Sequence, residues 1–196
     1  FTTLLNFCSN DLSAFYFDIR KDCIYCDSKS SEKRRAARTV LNILFEYLVR
    51  WFAPFLVFTC EEAWSSRKKN SSIHEQVFLK IPSKYNKIEL KNKWDYIKEV
   101  RKNITGAIEI KRSEKTIGSS LQAKAEVWIS KKYEKNLKNI DMSEIGIVSS
   151  SKINILNDDN EEIKVDITLA EGEKCKRCWK VLPEVDTICK RCEDVI

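Results

Sequence analysis

Four of the eight cysteines in this 196-residue chain lie close to its end, in two Cys-x2-Cys pairs. Cys175 is paired with Cys178 and Cys189 with Cys192, and ten residues separate the two pairs. Each such turn directs both of its sulfurs into the same space, and two turns that face each other supply the tetrahedron that Zn²⁺ accepts. Because four thiolates leave no position for water, we predict one structural zinc ion. Two disulfides or four free thiols are the alternatives.

The segment around these cysteines has few apolar residues with which to build a core. They are Trp179, Val181, Leu182, Val185, Ile188, Val195 and Ile196. Its basic residues Lys176, Arg177, Lys190 and Arg191 offset the charge of a thiolate cluster. We therefore expect this segment to be poorly folded without the metal. Cys23 and Cys26 form another Cys-x2-Cys pair, at a helix end and with no second pair nearby in sequence. A redox or metal site at this pair is possible, but it is the less favoured interpretation.

Composition indicates a globular protein with one large or two small domains. Apolar residues make up 43% of the chain and charged residues 33%, and the net charge of +6 permits contact with a polyanion without establishing it. We expect a cytoplasmic protein that contacts no membrane, because no targeting segment is visible and the apolar run at 51–60 is about half of the roughly 20 residues that span a bilayer. The start at Phe1 and the single Met142 suggest a piece of a longer polypeptide.

Residues 1–116 have the periodicity of an antiparallel helical bundle. Apolar residues follow helical spacing over 2–21, and Ser30 or Ser31 is the predicted cap of a second helix. The stripe of that helix is Val40, Leu44, Tyr47, Leu48 and Trp51. Pro54 is expected to bend or restart it. A surface connection over 65–92 and a further helix over 93–112 complete the bundle. Cys8, Cys60, Trp51 and Trp64 are expected in its core.

Residues 117–170 alternate apolar and polar side chains, which is typical of strands. We predict a small α+β module with about four strands, including the stretches "IGIVSS" and "KINIL", and a short helix near 131–139. The polar run "NDDNEE" is predicted as a turn. The four-cysteine zinc knuckle follows over 171–196. The fold class is therefore mainly α: an antiparallel helical bundle, a small α+β module and a C-terminal zinc knuckle.

Several longer stretches resemble the C-terminal part of bacterial isoleucyl-tRNA synthetases. They are "AFYFDIRKDCIYCD", "RRAARTVLNILFEYLVRWFAPFLVFTCEEAW", "RKNITGAIEIKRSEKTIGSSLQA" and "AEGEKCKRCWK" with "ICKRC". The second of these is similar to the anticodon-binding helices of the isoleucyl, valyl and leucyl group as a whole, whereas the cysteine knuckle after a small α/β module points to the isoleucine enzyme. The nucleotide-binding signatures of the HIGH and KMSKS kinds and the editing domain do not occur in this chain.

The resemblance implies binding of an isoleucine-specific tRNA through its anticodon stem-loop. The reaction served is the ATP-dependent attachment of isoleucine to its tRNA, and ATP is used only by catalytic domains outside these residues. The resemblance therefore assigns no catalytic residue here, and it implies a monomer that binds no DNA.

Two groups of residues are suited to RNA contact. Arg34, Arg35 and Arg38 lie at the start of a long helix, where phosphates are natural partners and a solvated basic face is the alternative. In the knuckle the candidates are Lys176, Arg177, Trp179, Lys180, Lys190 and Arg191. Trp179 between cations is an arrangement that stacks an unpaired base, and its alternative role is packing over the knuckle.

Three other interpretations remain open. A valine or leucine enzyme shares the helices, although the four-cysteine end argues against it. A DNA-repair or other nucleic-acid protein with a similar finger would lack the helical stretch around residues 48–56. A zinc-stapled module that binds only proteins would show no steep dependence of RNA binding on salt.

Overall fold

A computed structural model describes residues 1–157 and 162–196 of the chain. These residues form two compact units, Phe1–Asn86 and Lys87–Ile196. The long helix that the periodicity assigned to the bundle belongs to the second unit, together with the sheet. The domain limits at residues 116 and 170 stay a prediction. No helix among the described residues is both long and apolar enough to cross a bilayer.

The first unit is helical. It contains α1 (Thr2–Asn6), a π-helical segment (Phe7–Phe17), α2 (Asp18–Cys26), α3 (Glu32–Phe52), α4 (Val57–Ser65) and two short 3₁₀ turns (Ile73–Glu75 and Ser83–Tyr85). The predicted helix over 2–21 is confirmed and continues to Cys26. Leu12 and Ile19 are buried on its apolar face, whereas Leu5 is exposed.

The boundaries of α3 have local causes. The Ser31 hydroxyl accepts a hydrogen bond from the Arg34 N–H at 3.3 Å, which makes Ser31 the N-cap. The helix ends at Phe52, and Pro54 stands in the turn before α4, as predicted. The core beneath these helices contains Val49, Ala53, Cys60, Trp64 and Ile73. The predicted core positions of Cys60 and Trp64 are thus confirmed, while Trp51 and Cys8 are half-buried.

The second unit begins with the long helix α5 (Ile88–Ser113), which starts earlier than the predicted residue 93. Its buried residues are Tyr96, Ile97, Val100, Ile104 and Ile108. Four of them were expected on the apolar side of this helix, whereas Trp94 and Ala107, also expected there, are half-buried and Tyr96 was not expected. This face packs against a three-stranded sheet and two short helices. The segment before it was expected to be a surface connection, and residues 77–90 are all exposed.

The sheet has β1 (Ala123–Ser130) at its centre, with β2 (Ser150–Leu156) parallel on one side and β3 (Lys164–Leu169) antiparallel on the other. Alternate side chains of β1 are fully buried: Ala123, Ala125, Val127 and Ile129. This is the period-2 pattern on which the strand prediction rested. The short helix α6 (Glu134–Leu137) lies within the predicted range 131–139.

The predicted strand at "IGIVSS" is wrong, because residues Met142–Gly146 form helix α7. The Asp141 carboxylate caps this helix by accepting hydrogen bonds from the N–H groups of Ser143 and Glu144. Ile147 then takes a left-handed conformation, with φ of 54°, and ends the helix before β2. The described part of the module therefore has three strands rather than about four. The predicted polar turn at 157–162 falls largely outside the described residues.

Residues 171–196 form a small unit around the four cysteines, the cysteine module. It contains the hairpin of β4 (Glu173–Lys174) and β5 (Val181–Leu182) and the single-turn helix α8 (Lys190–Glu193). Val185 is buried within it. The predicted fold class is confirmed: a mainly α chain carries a small sheet module and a C-terminal four-cysteine cluster.

Candidate metal centre and nucleic-acid interface

The sulfurs of Cys175, Cys178, Cys189 and Cys192 converge in the cysteine module. All four side chains are buried, and their sulfur atoms lie within 4.8 Å of one another. The Cys178 and Cys189 sulfurs are 3.7 Å apart. Four sulfurs at about 2.3 Å from one tetrahedral ion are separated by about 3.8 Å, so the observed spacing fits such an ion. Among the described residues, no other group of three or more Cys, His, Asp or Glu is arranged to hold a metal.

Backbone hydrogen bonds hold the two turns in this arrangement. In the first turn the Cys175 N–H donates to the Lys180 carbonyl, and the Trp179 N–H donates to the Cys175 carbonyl, both at 2.9 Å. In the second turn the Cys192 N–H donates to the Cys189 carbonyl at 2.8 Å. The Lys176 N–H reaches the Thr187 carbonyl at 3.0 Å and joins the turns. The site is therefore built from backbone geometry, which the Cys-x2-Cys spacing encodes.

The four thiols have unequal electrostatic environments. Burial raises the pKa of Cys175, but N–H groups of Cys178, Cys189 and Arg177 donate to its sulfur and together lower its pKa to about 6. One of these, from Cys189, measures 3.3 Å. The pKa values of Cys178, Cys189 and Cys192 are raised, mainly by burial. A bound cation reverses this effect because coordination deprotonates a thiol.

The donor set fits a soft or borderline metal. Four thiolates in tetrahedral geometry are the ligands of structural zinc and of iron–sulfur sites, whereas Ca²⁺ and Mg²⁺ require oxygen. The four-cysteine cluster can therefore hold a metal ion. All four coordination positions are protein sulfurs, so the arrangement supplies a cross-link and no open position for a substrate.

Ser149 joins the cysteine module to the sheet, a contact that no sequence signal indicated. Its hydroxyl donates to the Leu121 carbonyl and accepts a hydrogen bond from the Val181 N–H at 2.7 Å. The Ser149 side chain is buried. The hairpin of the cysteine module is thereby tied to the 3₁₀ turn (Ser120–Gln122) that precedes β1.

Trp179 is held at the surface beside the metal-binding cluster. Its side chain is 60% exposed, and the Lys174 ammonium lies 5.0 Å from the ring centroid. Its φ is 67°, a conformation that bulky residues rarely adopt. The turn therefore presents the indole outwards at a cost in backbone strain. The predicted basic residues of this module, Lys176, Arg177, Lys180, Lys190 and Arg191, are exposed or half-buried around the same two turns.

The three predicted arginines of α3 have different surroundings. Arg34 is half-buried, and its Nη1 donates to the Asp27 carbonyl at 2.7 Å, which ties the end of α2 to the start of α3. Arg35 and Arg38 are exposed and line a surface cleft together with Arg67, which sequence reasoning missed. No local signal marks Arg67, because only the packing of α4 on α3 brings it near.

Comparison with known proteins places these observations in a family. Residues 1–127 match the model of the anticodon-binding domain of tRNA ligases. The isoleucine–tRNA ligase of Gluconobacter oxydans is 43% identical over 203 residues, which is all of this chain and 21% of that protein. The enzyme of Pelagibacter ubique is 48% identical over 179 residues, 91% of this chain and 20% of its own length.

A third relative, the isoleucine–tRNA ligase of Zymomonas mobilis, is 43% identical over 202 residues, 98% of this chain and 21% of its own. The chain thus spans about a fifth of the length of the curated relatives it matches. The resemblance drawn from the sequence motifs is confirmed by these matches. The chain therefore belongs to the anticodon-binding domain family of tRNA ligases, as a member similar to isoleucine–tRNA ligases.

Proposed function

We propose that this chain recognises the anticodon stem-loop of isoleucine-specific tRNA. Family membership supports RNA recognition in general. The observation that carries the proposal is Trp179, an exposed indole in a strained turn beside the cysteine cluster. Strained positions that persist in a folded protein concentrate at functional sites. An exposed aromatic ring with a cation at its face is suited to stacking on an unpaired base.

In this proposal the whole protein joins isoleucine to its tRNA at the expense of ATP. The present residues contribute selection of the tRNA and no step of the chemistry, which belongs to other parts of the longer relatives. The protein acts as a monomer in the cytoplasm. These statements rest on the similarity to isoleucine–tRNA ligases.

The metal in this proposal is one Zn²⁺ ion, held by Cys175, Cys178, Cys189 and Cys192. Zinc has no redox chemistry and accepts four thiolates without strain, which suits a purely structural site. It would keep the two turns together and so hold Trp179 and its basic neighbours in place. The residues of this chain then bind RNA, while the ion supplies rigidity.

The proposed RNA contacts fall into two sets. Around the metal site, Trp179 stacks on a base while Lys176, Arg177, Lys180, Lys190 and Arg191 face phosphates. In the first unit, Arg35 and Arg38 contact phosphates. Arg34 keeps further N–H donors besides the one bound to Asp27, and it stays in the set as a flanking contact.

Binding to two anticodon stem-loops at two salt concentrations tests the function. We expect tighter binding of an isoleucine-type than of a valine-type stem-loop. The seven proposed phosphate contacts would weaken binding by roughly 1,000-fold between 50 mM and 200 mM salt. Equal binding of both RNAs would contradict anticodon selection. Absence of RNA binding at low salt would favour the alternative of a zinc-stapled protein-interaction module.

Replacing Trp179 by glycine should weaken stem-loop binding by about tenfold, since base stacking contributes about 1–3 kcal/mol. The same change should stabilise the cysteine module by about 1 kcal/mol, because glycine adopts a positive φ without strain. Titration of RNA and chelator competition for the metal would measure the two effects. Trp179→Phe, which keeps an aromatic ring, serves as the conservative control. Unchanged RNA affinity in the glycine variant would show that the indole does not stack.

A further inference from the structure

A cleft of about 740 Å³ lies on the surface of the first unit, between α3 and the turn that follows α4. It is lined by Arg35, Arg38, Thr39, Leu41, Asn42, Phe45 and Arg67. Three of these side chains are cationic, and none is a carboxylate. Its volume lies within the range of small-ligand sites. The cleft therefore has the size and charge for a group about as large as a nucleotide that carries negative charge.

Arg67 is fixed in this cleft before any ligand arrives. Its guanidinium lies over the Phe45 ring, 4.5 Å from the centroid, and its Nη2 donates to Asn42 Oδ1 at 2.6 Å. Phe45 is in turn stacked on Trp64, with the ring planes 5° apart. Trp64 is buried in the core of the unit. Trp64, Phe45 and the Arg67 guanidinium thus form a stack that extends from the core to the surface. Because Arg67 is already held in place, less side-chain entropy is lost when a ligand binds.

Arg35 and Arg38 are one helical turn apart on the exposed side of α3. Within the described part of the chain, neither forms an ion pair, whereas Arg50 on the same helix is paired with Glu46 at 2.7 Å. Two exposed and unneutralised guanidinium groups at the edge of a cleft favour an anion with several oxygens, such as a phosphodiester.

We propose that this cleft binds one unstacked nucleotide of single-stranded RNA. The phosphate lies between Arg35 and Arg38, and the base stacks on the outer face of the Arg67 guanidinium. Asn42 accepts from Arg67 through Oδ1, so its Nδ2 group remains to donate to a base edge. The inference rests on the proposed RNA-binding function and deepens it, because it names an extruded loop nucleotide as the ligand of this cleft.

The arrangement distinguishes this ligand from the phosphates of a paired stem. A surface that only follows a duplex backbone needs cations and no stacking layer. In this cleft Phe45 and Leu41 supply apolar surface, and the Asn42 amide lies next to the Arg67 guanidinium. Recognition of single-stranded RNA uses this combination of planar groups, amides and cations.

The test compares Arg67→Gln with the wild-type chain on three RNAs: an anticodon stem-loop, the same stem-loop with one abasic loop position at a time, and a blunt duplex of the stem. Lys69→Gln is the matched control, since Lys69 is a neighbouring exposed cation outside the cleft. We expect Arg67→Gln to weaken stem-loop binding by about tenfold and Lys69→Gln by less than about twofold. On one abasic stem-loop the wild-type chain should bind as weakly as the Arg67→Gln variant.

The abasic series alters only the RNA, so it does not depend on the folding of any variant. Equal losses for Arg67→Gln on the duplex and on the stem-loop would overturn the inference in favour of a stem-phosphate contact. Wild-type stem-loop binding that is insensitive to both Arg67→Gln and every abasic position would also overturn it, while leaving the RNA-binding function intact. Absence of wild-type binding to any stem-loop would refute that function and the inference with it.

Discussion

Replacement of Cys189 by serine is expected to abolish metal binding and to unfold the cysteine module over residues 171–196. The four sulfurs are buried within 4.8 Å of one another, and the module has little core of its own apart from Val185. Metal binding to a structural site of this kind contributes roughly 10 kcal/mol of apparent folding free energy. The loss of one thiolate removes most of this contribution, which exceeds what hairpin β4–β5 and a single-turn helix can replace.

Metal content and hydrogen exchange measure this effect. We expect one zinc ion per wild-type chain, none per Cys189→Ser chain, and loss of amide protection confined to the residues after β3. The first unit, whose core lies around Trp64, should keep its protection. Cys8→Ser is the matched control, because Cys8 is a half-buried thiol outside the cluster, and it should retain the metal. Full metal content in Cys189→Ser would refute the four-thiolate site.

The cysteine site was predictable because its geometry is local. The Cys-x2-Cys spacing determines which backbone N–H groups and sulfurs meet within one turn. The presence of two such turns close together in the sequence was then enough to predict the four-sulfur cluster. The same locality explains the cap at Ser31 and the alternation along β1. In each case the residues that determine the structure are within a few positions of one another.

Long-range packing accounts for what the sequence pattern did not reveal. Arg67 reaches Phe45 and Asn42 across 22 and 25 positions of chain, and Ser149 meets Val181 across 32 positions. No periodicity encodes such contacts. Arg34 illustrates a different limit. Its sequence context is as basic as that of Arg35, but only Arg34 donates a hydrogen bond to the Asp27 carbonyl, seven positions earlier, and is half-buried.

The misassigned stretch at 145–150 had another cause. Its alternation of apolar and small residues is compatible with a strand, but the Asp141 carboxylate caps a helix that includes its first two residues, Ile145 and Gly146. The helix cap depends on the single residue Asp141, and the helix end depends on the left-handed conformation of Ile147. A hydrophobic pattern over six positions does not detect such single-residue effects.

Replacement of Gly172 by alanine is expected to destabilise the cysteine module more than alanine at any other glycine of the second unit. Gly172 has φ of 108° and precedes β4, where an added Cβ would overlap the Leu182 carbonyl and the Pro183 nitrogen. Both atoms belong to backbone, so neither can move without opening the hairpin. The backbone conformation is itself strained for an L-residue. We expect a cost of about 3 kcal/mol, which corresponds to roughly 100-fold weaker zinc binding.

Chelator competition would measure the zinc affinity, and Gly106→Ala provides a control of opposite sign. Gly106 lies in the interior of α5, and an added Cβ there meets no heavy atom within 4 Å. Alanine should therefore stabilise the helix by about 0.5–1 kcal/mol and leave zinc affinity unchanged, because its helix propensity is higher. Equal zinc affinity in the Gly172→Ala and wild-type chains would show that hairpin β4–β5 does not constrain the metal site. A loss of zinc affinity in Gly172→Ala alone would establish that the hairpin's closure, as well as the four thiolates, determines how tightly the ion is held.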